Sequence, residues 1–121
     1  MYRFVVRPHA AFDPVALRRF SDEQDQPLLL FSVDPAAAEL RAPFTLAGDP
    51  VTLSSLRVAD DGAAIVARIY NPSTKTASVT LRPSTPGSRV SVVASDGLQS
   101  TADGRVVLPP LATRVIRIEL R

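Results

Sequence analysis

From residue 51 onward the chain repeats one pattern: a short apolar or alternating run, then a cluster of turn formers, at roughly 10-residue spacing. The run 76–82 is the clearest case. Ala77, Val79 and Leu81 point one way and polar residues the other, the period-2 signature of a half-buried strand. The run 63–70, AAIVARIY, is apolar on both faces except at Arg68, so it reads as an inner strand covered on two sides. Runs 51–58, 88–94, 105–108 and 113–120 complete the series. Between them stand Asp60-Asp61-Gly62, Asn71-Pro72-Ser73, the segment 83–87, Ser95-Asp96-Gly97 and Asp103-Gly104, which supply the residues that tight reversals need. This cadence predicts an all-β fold, an antiparallel β-sandwich.

The first 50 residues read differently. Residues 2–7 suit a strand with Tyr2, Phe4 and Val6 on one side. Asp13 then offers an N-cap and Pro14 suits the first helical position, where its missing N–H would have no partner anyway. Phe12 and Leu17 are spaced as a hydrophobic staple. One short helix over about 14–22 is expected, followed by a strand over 28–33 and a Pro/Ala-rich connector over 34–50, with 39–41 as a further short strand. The length of 121 residues fits one β-sandwich domain, with 1–50 as entry strand, helix and connector and 51–121 as the main sheets.

Composition narrows the chemistry. With Cys 0 there is no disulfide framework, thiolate metal site or cysteine nucleophile, a usage compatible with a reducing cytoplasm. His9 is the only histidine, so no multi-histidine zinc site is expected from this chain alone. Arginine supplies all but one of the 14 basic residues, yet the net charge is only +2, and no basic run exceeds Arg18-Arg19. No nucleic-acid partner is expected. No apolar run, Leu28 to Phe31 included, approaches the roughly 20 residues of a membrane helix, and no secretory leader is recognised, so no membrane partner is expected either.

Three segments together resemble family 38 glycoside hydrolases, the α-mannosidase family. RFVVRPHAAFDP, with RRF and QPLL after it, is similar to the stretch that enters the last β-domain of that family. VTLSSLRVADDGAAIVARIYNPS resembles its leucine, acidic-Gly hairpin and following strand, and GRVVLPPLATRVIRIEL resembles its closing strand. The resemblance spans nearly the whole chain and rests on the order and spacing of the three motifs. It implies a C-terminal β-sandwich only. The family's zinc, aspartate nucleophile and acid catalyst, which act with retention of configuration, belong to a catalytic domain not represented here. Relatives carry a glutamate where this chain has Leu111-Ala112, and Leu-Glu where it has Leu98-Gln99, so any docking role of those acids does not carry over.

The candidate residues are therefore interface or substrate-facing ones, with no catalytic residue and no metal ligand among them. Arg68 interrupts an apolar strand, where an unpaired buried cation would be costly; it must pair inside the sandwich or reach outward to a neighbouring domain or sugar. Tyr70 and Asn71 end the same strand at a loop edge, and His9 sits in the Pro8–Ala11 turn. For each, a packing role outweighs a functional one. Asp60 and Asp61 read as a solvated hairpin rather than the carboxyl pair of a retaining glycosidase, and Asp96 and Asp103 as turn formers rather than calcium ligands.

The expected function is a non-catalytic accessory domain of an α-mannosidase-like hydrolase, with no cofactor of its own, partnered by the catalytic domain and by mannose-containing glycans. Two alternatives stand beside it: an autonomous carbohydrate-binding module, marked by exposed coplanar aromatics, and an immunoglobulin-like structural domain, marked by a polar surface. An apolar patch on a sheet face would mark the docking role.

Overall fold

The structure is a computed structural model and describes residues 4–25, 42–94 and 97–119. The chain divides into two compact units, residues 1–38 and 39–121.

In the first unit, residues 4–9 form no strand, a departure from the entry strand that alternation suggested. Phe4 and Val6 are 87% and 86% exposed, and alternation without a neighbouring ladder does not hold a strand. The helix α1, Pro14–Asp25, begins where expected. Asp13 Oδ1 accepts from the Val15 and Ala16 amides at 2.9 and 3.2 Å, satisfying two donors that the first turn leaves open. It runs three residues beyond 22. Arg18 pairs with Asp22 at 2.8 Å and Ser21 Oγ donates to Asp25 at 3.4 Å, two i,i+4 links that carry it through the last turn. The strands expected over 28–33 and 39–41 lie outside the described residues.

The second unit is a sandwich of two antiparallel sheets, as its cadence predicts. Its strands are β1 (Phe44–Ala47), β2 (Thr52–Val58), β3 (Ala64–Tyr70), β4 (Ala77–Pro83), β5 (Arg89–Ala94), β6 (Gly97–Ser100), β7 (Arg105–Leu108) and β8 (Thr113–Glu119). One sheet has the order β1-β4-β7 and the other β2-β3-β8-β5-β6. Two of these strands were not expected. β1 sits in the segment read as connector, and β6 carries only one large apolar residue, too little for a pattern to register.

The core forms where inward residues of the two sheets meet. Ala67 and Ile69 of β3, Ile116 and Ile118 of β8 and Val90 of β5 cluster with Phe44, Val79, Leu81, Val106 and Leu108 of the smaller sheet. Each fully buried Ile or Leu contributes about 2 kcal/mol of hydrophobic stabilisation. The pairing of β2 with β3 shifts between Leu53 and Ser55, a bulge at Ser54. Leu53, opposite Ile69, and Leu56, opposite Ala67, then both face the core side, although three residues apart they would alternate in a regular strand.

Five connections cross between the sheets. Residues 48–51, 71–76 and 109–112 cross at one end of the sandwich, 84–88 and 101–104 at the other.

Candidate functional site

Register decides which face each candidate side chain takes. In antiparallel pairs, directly opposed residues share a face. Ile65, Ala67 and Ile69 of β3 stand opposite Ile118, Ile116 and Arg114 of β8 and point to the core side; Val66, Arg68 and Tyr70 therefore point outward. Arg68 lies between Ser55 of β2 and Val115 of β8. It is exposed and has no hydrogen-bond or ion-pair partner among the described residues. Its side chain thus points out of the sandwich rather than into it. β3 is accordingly covered on one side only at Arg68, not on both as its apolar sequence suggested, and Val66 and Tyr70 beside it are half-buried.

Asn71 is 0% exposed. Its Nδ2 group donates to the carbonyls of Lys75 at 2.8 Å and Pro109 at 2.9 Å, with the Leu108 carbonyl at 3.3 Å, while its Oδ1 accepts from Ser73 N at 3.0 Å. Its own amide donates to Ala112 O at 3.0 Å, and Leu111 N donates to Ser73 O at 3.1 Å. One side chain thus ties together two of the sheet crossings at this end, 71–76 and 109–112. That placement removes Asn71 from the surface candidates, because a buried amide with every group engaged has nothing left for a partner. Tyr70 closes the outer face at the same end, opposite Thr52 and Thr113.

His9 belongs to the first unit, where its exposed Nδ1 lies 3.3 Å from the Ala11 carbonyl, a bond the Nδ1–H tautomer donates. The structure therefore brings Arg68 and Tyr70 together on one outer face and sets Asn71 behind its end.

The two hairpin aspartates take separate partners and do not form a carboxyl pair. Asp60 meets Arg57 at 3.0 Å, and Asp61 accepts from Ala63 N at 3.0 Å and from the Arg117 guanidinium. The Ala63 amide first, and Arg117 second, hold the Asp61 carboxyl below its ordinary value of 3.8. Arg117 reaches Glu119 as well, at 3.9 Å. Gly62 turns this hairpin at φ 70°, with Gly62 N donating to Ala59 O at 2.8 Å.

A feature that the sequence did not disclose lies on the core side of β2. This strand is an edge of the five-stranded sheet, which packs against a sheet of only three strands. Leu56 and Val58, aligned toward the core side opposite Ala67 and Ile65, are 47% and 65% exposed. They form an apolar ledge. The signal could not be read from SSLRVAD, because only the bulge puts Leu56 on that side and only the sheet widths uncover it.

Among the described residues no group of three or more His, Asp or Glu lies close enough to hold a metal ion, so none here supplies a ligand set for the zinc of the resembled family. No helix among them is long and apolar enough to cross a membrane. Compared with family models, curated proteins and solved structures, the chain matches none.

Proposed function

We propose that this chain is a non-catalytic docking sandwich: the C-terminal accessory domain of an α-mannosidase-like glycoside hydrolase, which stabilises the enzyme and lines its substrate cleft. The observation that carries the reading is the apolar ledge of Leu56 and Val58, water-exposed on the core side of an edge strand. Contiguous apolar surface of this kind is costly in water and gains when a partner covers it. The motif order quoted above supports the catalytic domain of the same enzyme as that partner. Arg68, exposed and without an ion pair among the described residues, offers a planar cation to an acidic group or sugar hydroxyl at the cleft wall. The aromatics of the described sandwich favour docking over an autonomous glycan module. Phe44 is buried and Tyr70 half-buried, which leaves no flat platform for sugar stacking there.

The test is reconstitution. The chain is co-expressed with an α-mannosidase-family catalytic domain lacking its last sandwich, preferably the one encoded beside it. Co-purification and restored hydrolysis of aryl α-mannosides are expected, with Leu56→Glu plus Val58→Glu abolishing the complex. The chain alone is expected to hydrolyse nothing, with or without zinc. Arg68→Met should leave the isolated chain within about 0.5 kcal/mol of its parent in urea, since an exposed unpaired cation holds nothing in place; in the complex the same change should lower activity. Absence of any complex, or mannoside turnover by the chain alone, would overturn the reading.

A further inference from the structure

The ledge on β2 has a backbone as open as its side chains. Ala59 N donates to Ala64 O at 2.8 Å, so these two form a hydrogen-bonded pair that continues the β2–β3 ladder past Val58 and Ile65. Such pairs alternate along an antiparallel ladder. Ser55 and Arg57 therefore give their amides and carbonyls to β3. Leu56 and Val58 turn theirs the other way, to the side where β2 has no neighbouring strand among the described residues. The same two residues thus offer exposed apolar side chains and an open row of backbone donors and acceptors. Between them, on the outer face, stands Arg57, exposed and paired at 3.0 Å with Asp60, a carboxylate almost wholly in water. A pair so exposed contributes little and exchanges readily. Arg68 lies one strand further in, opposite the small side chain of Ser55, exposed and without an ion pair among the described residues.

We propose that the docking partner adds an antiparallel strand to the edge of β2, through an extended segment that alternates apolar and acidic side chains. This rests on the docking reading above and gives the contact its form. Residues opposite Leu56 and Val58 exchange both backbone bonds with them and share their core-side face, which calls for apolar side chains. The residue between them faces outward beside Arg57, where a carboxylate is favoured. A residue opposite Ser55 lies two strand spacings, about 10 Å, from the backbone of Arg68, a gap that glutamate and arginine side chains close together. The Ser54 bulge ends the regular pairing, so the contact is confined to residues 55–58. A second copy of the chain fits this edge poorly. Opposing Leu56 to Val58 sets the two Arg57 side chains directly against each other. Opposing Leu56 to Leu56 sets the Ser54 bulge against Val58, and opposing Val58 to Val58 leaves Leu56 facing Asp60, beyond the end of the strand.

Amide hydrogen exchange of the full chain, read by NMR, tests the pairing with a synthetic peptide that alternates valine and glutamate. With peptide at about ten times its Kd, exchange at the Leu56 and Val58 amides should slow about tenfold. The Ser55 and Arg57 amides, bonded to β3 already, should keep their rates. N-methylation of the valines, whose N–H groups face β2, should abolish binding; N-methylation of the glutamates, whose N–H groups face away, should not. Replacing glutamate by lysine should weaken binding about fivefold, and Arg57→Glu should invert that preference. Arg57 is exposed, and the same spectra report whether the variant is folded. Unchanged exchange at Leu56 and Val58, or binding that survives N-methylation of the valines, would overturn the proposal. So would the same protection arising without peptide as the chain is concentrated, which would put a second copy on the edge. The docking reading fails separately. A catalytic-domain complex that needs Leu56 and Val58 yet leaves their amides in fast exchange refutes the added strand alone. Protection by the peptide without any catalytic-domain complex refutes the identity of the partner alone.

Discussion

The helix of the first unit and the sandwich of the second are held by opposite kinds of interaction. α1 has a cap, an i,i+4 ion pair and an i,i+4 hydrogen bond, yet it buries none of its residues. Those three interactions lie within four positions along the chain, and the Arg7 guanidinium, 5.7 Å from the Phe20 ring centroid, adds a contact from just outside the helix. A 12-residue helix with local support alone is marginal in water. The sandwich reverses this. Its strands are stable because Ile69, Leu81, Leu108, Ile116 and Ile118, distant in sequence, exclude water from one another. Local chemistry therefore sets where an element begins, while long-range burial sets whether it is stable.

The sharpest way to break this contrast is in the core. Ile116→Ala removes a fully buried side chain at the centre of the larger sheet and should cost about 2 to 5 kcal/mol in urea unfolding. A loss below about 1 kcal/mol would mean that β8 is not central. Asn71→Ala comes next. It leaves the Lys75 and Pro109 carbonyls without their donor in a buried site and should cost about 2 to 3 kcal/mol by the same measurement. Asn71→Asp should be no rescue, because it removes the donating amide and buries a charge.

Asp13→Ala probes the helix side of the contrast. It should remove about 1 kcal/mol of helix stability. The loss should appear as lower helical circular dichroism and faster amide exchange over 14–25, with the urea midpoint of the sandwich unmoved. A shifted midpoint would show that the two units unfold together, and would end the contrast.

The smallest effect is electrostatic. The Asp61 carboxyl is held below 3.8 in the folded chain, so its contribution to stability is complete above that pH and lost as pH falls below it. The difference in urea midpoint between the parent and Asp61→Asn should be constant from about pH 5 to 7 and shrink under pH 4. A difference that instead grows on acidification would reverse the assigned sign.

Much of this was legible in the residues themselves. The alternation of Ala77, Val79 and Leu81 gives three consecutive buried positions of β4, and Asp-Asp-Gly turns the β2–β3 hairpin as read. Asp13 caps the helix it was expected to cap. These features depend on neighbours within a few residues, so the chain announces them. The candidate surface was legible only in part. Arg68 was singled out as a cation that had to be paired or outward, but its sequence context could not choose, because the choice belongs to the register of β8 against β3. Asn71 reads as an edge residue for a related reason: two of the three carbonyls it satisfies come from residues 37 and 38 positions away.

Alternation, turn chemistry and helix capping, all written in the order of side chains, determined by themselves that this chain makes antiparallel strands preceded by a short helix. The tertiary structure alone decided which strand edge stays uncovered and which polar group is buried and satisfied. The physical reason is range. Backbone hydrogen bonds in turns and caps are made between near neighbours, whereas the exposure of Leu56 and Val58 and the burial of Asn71 arise from the unequal widths of two sheets and from crossings that no local pattern encodes.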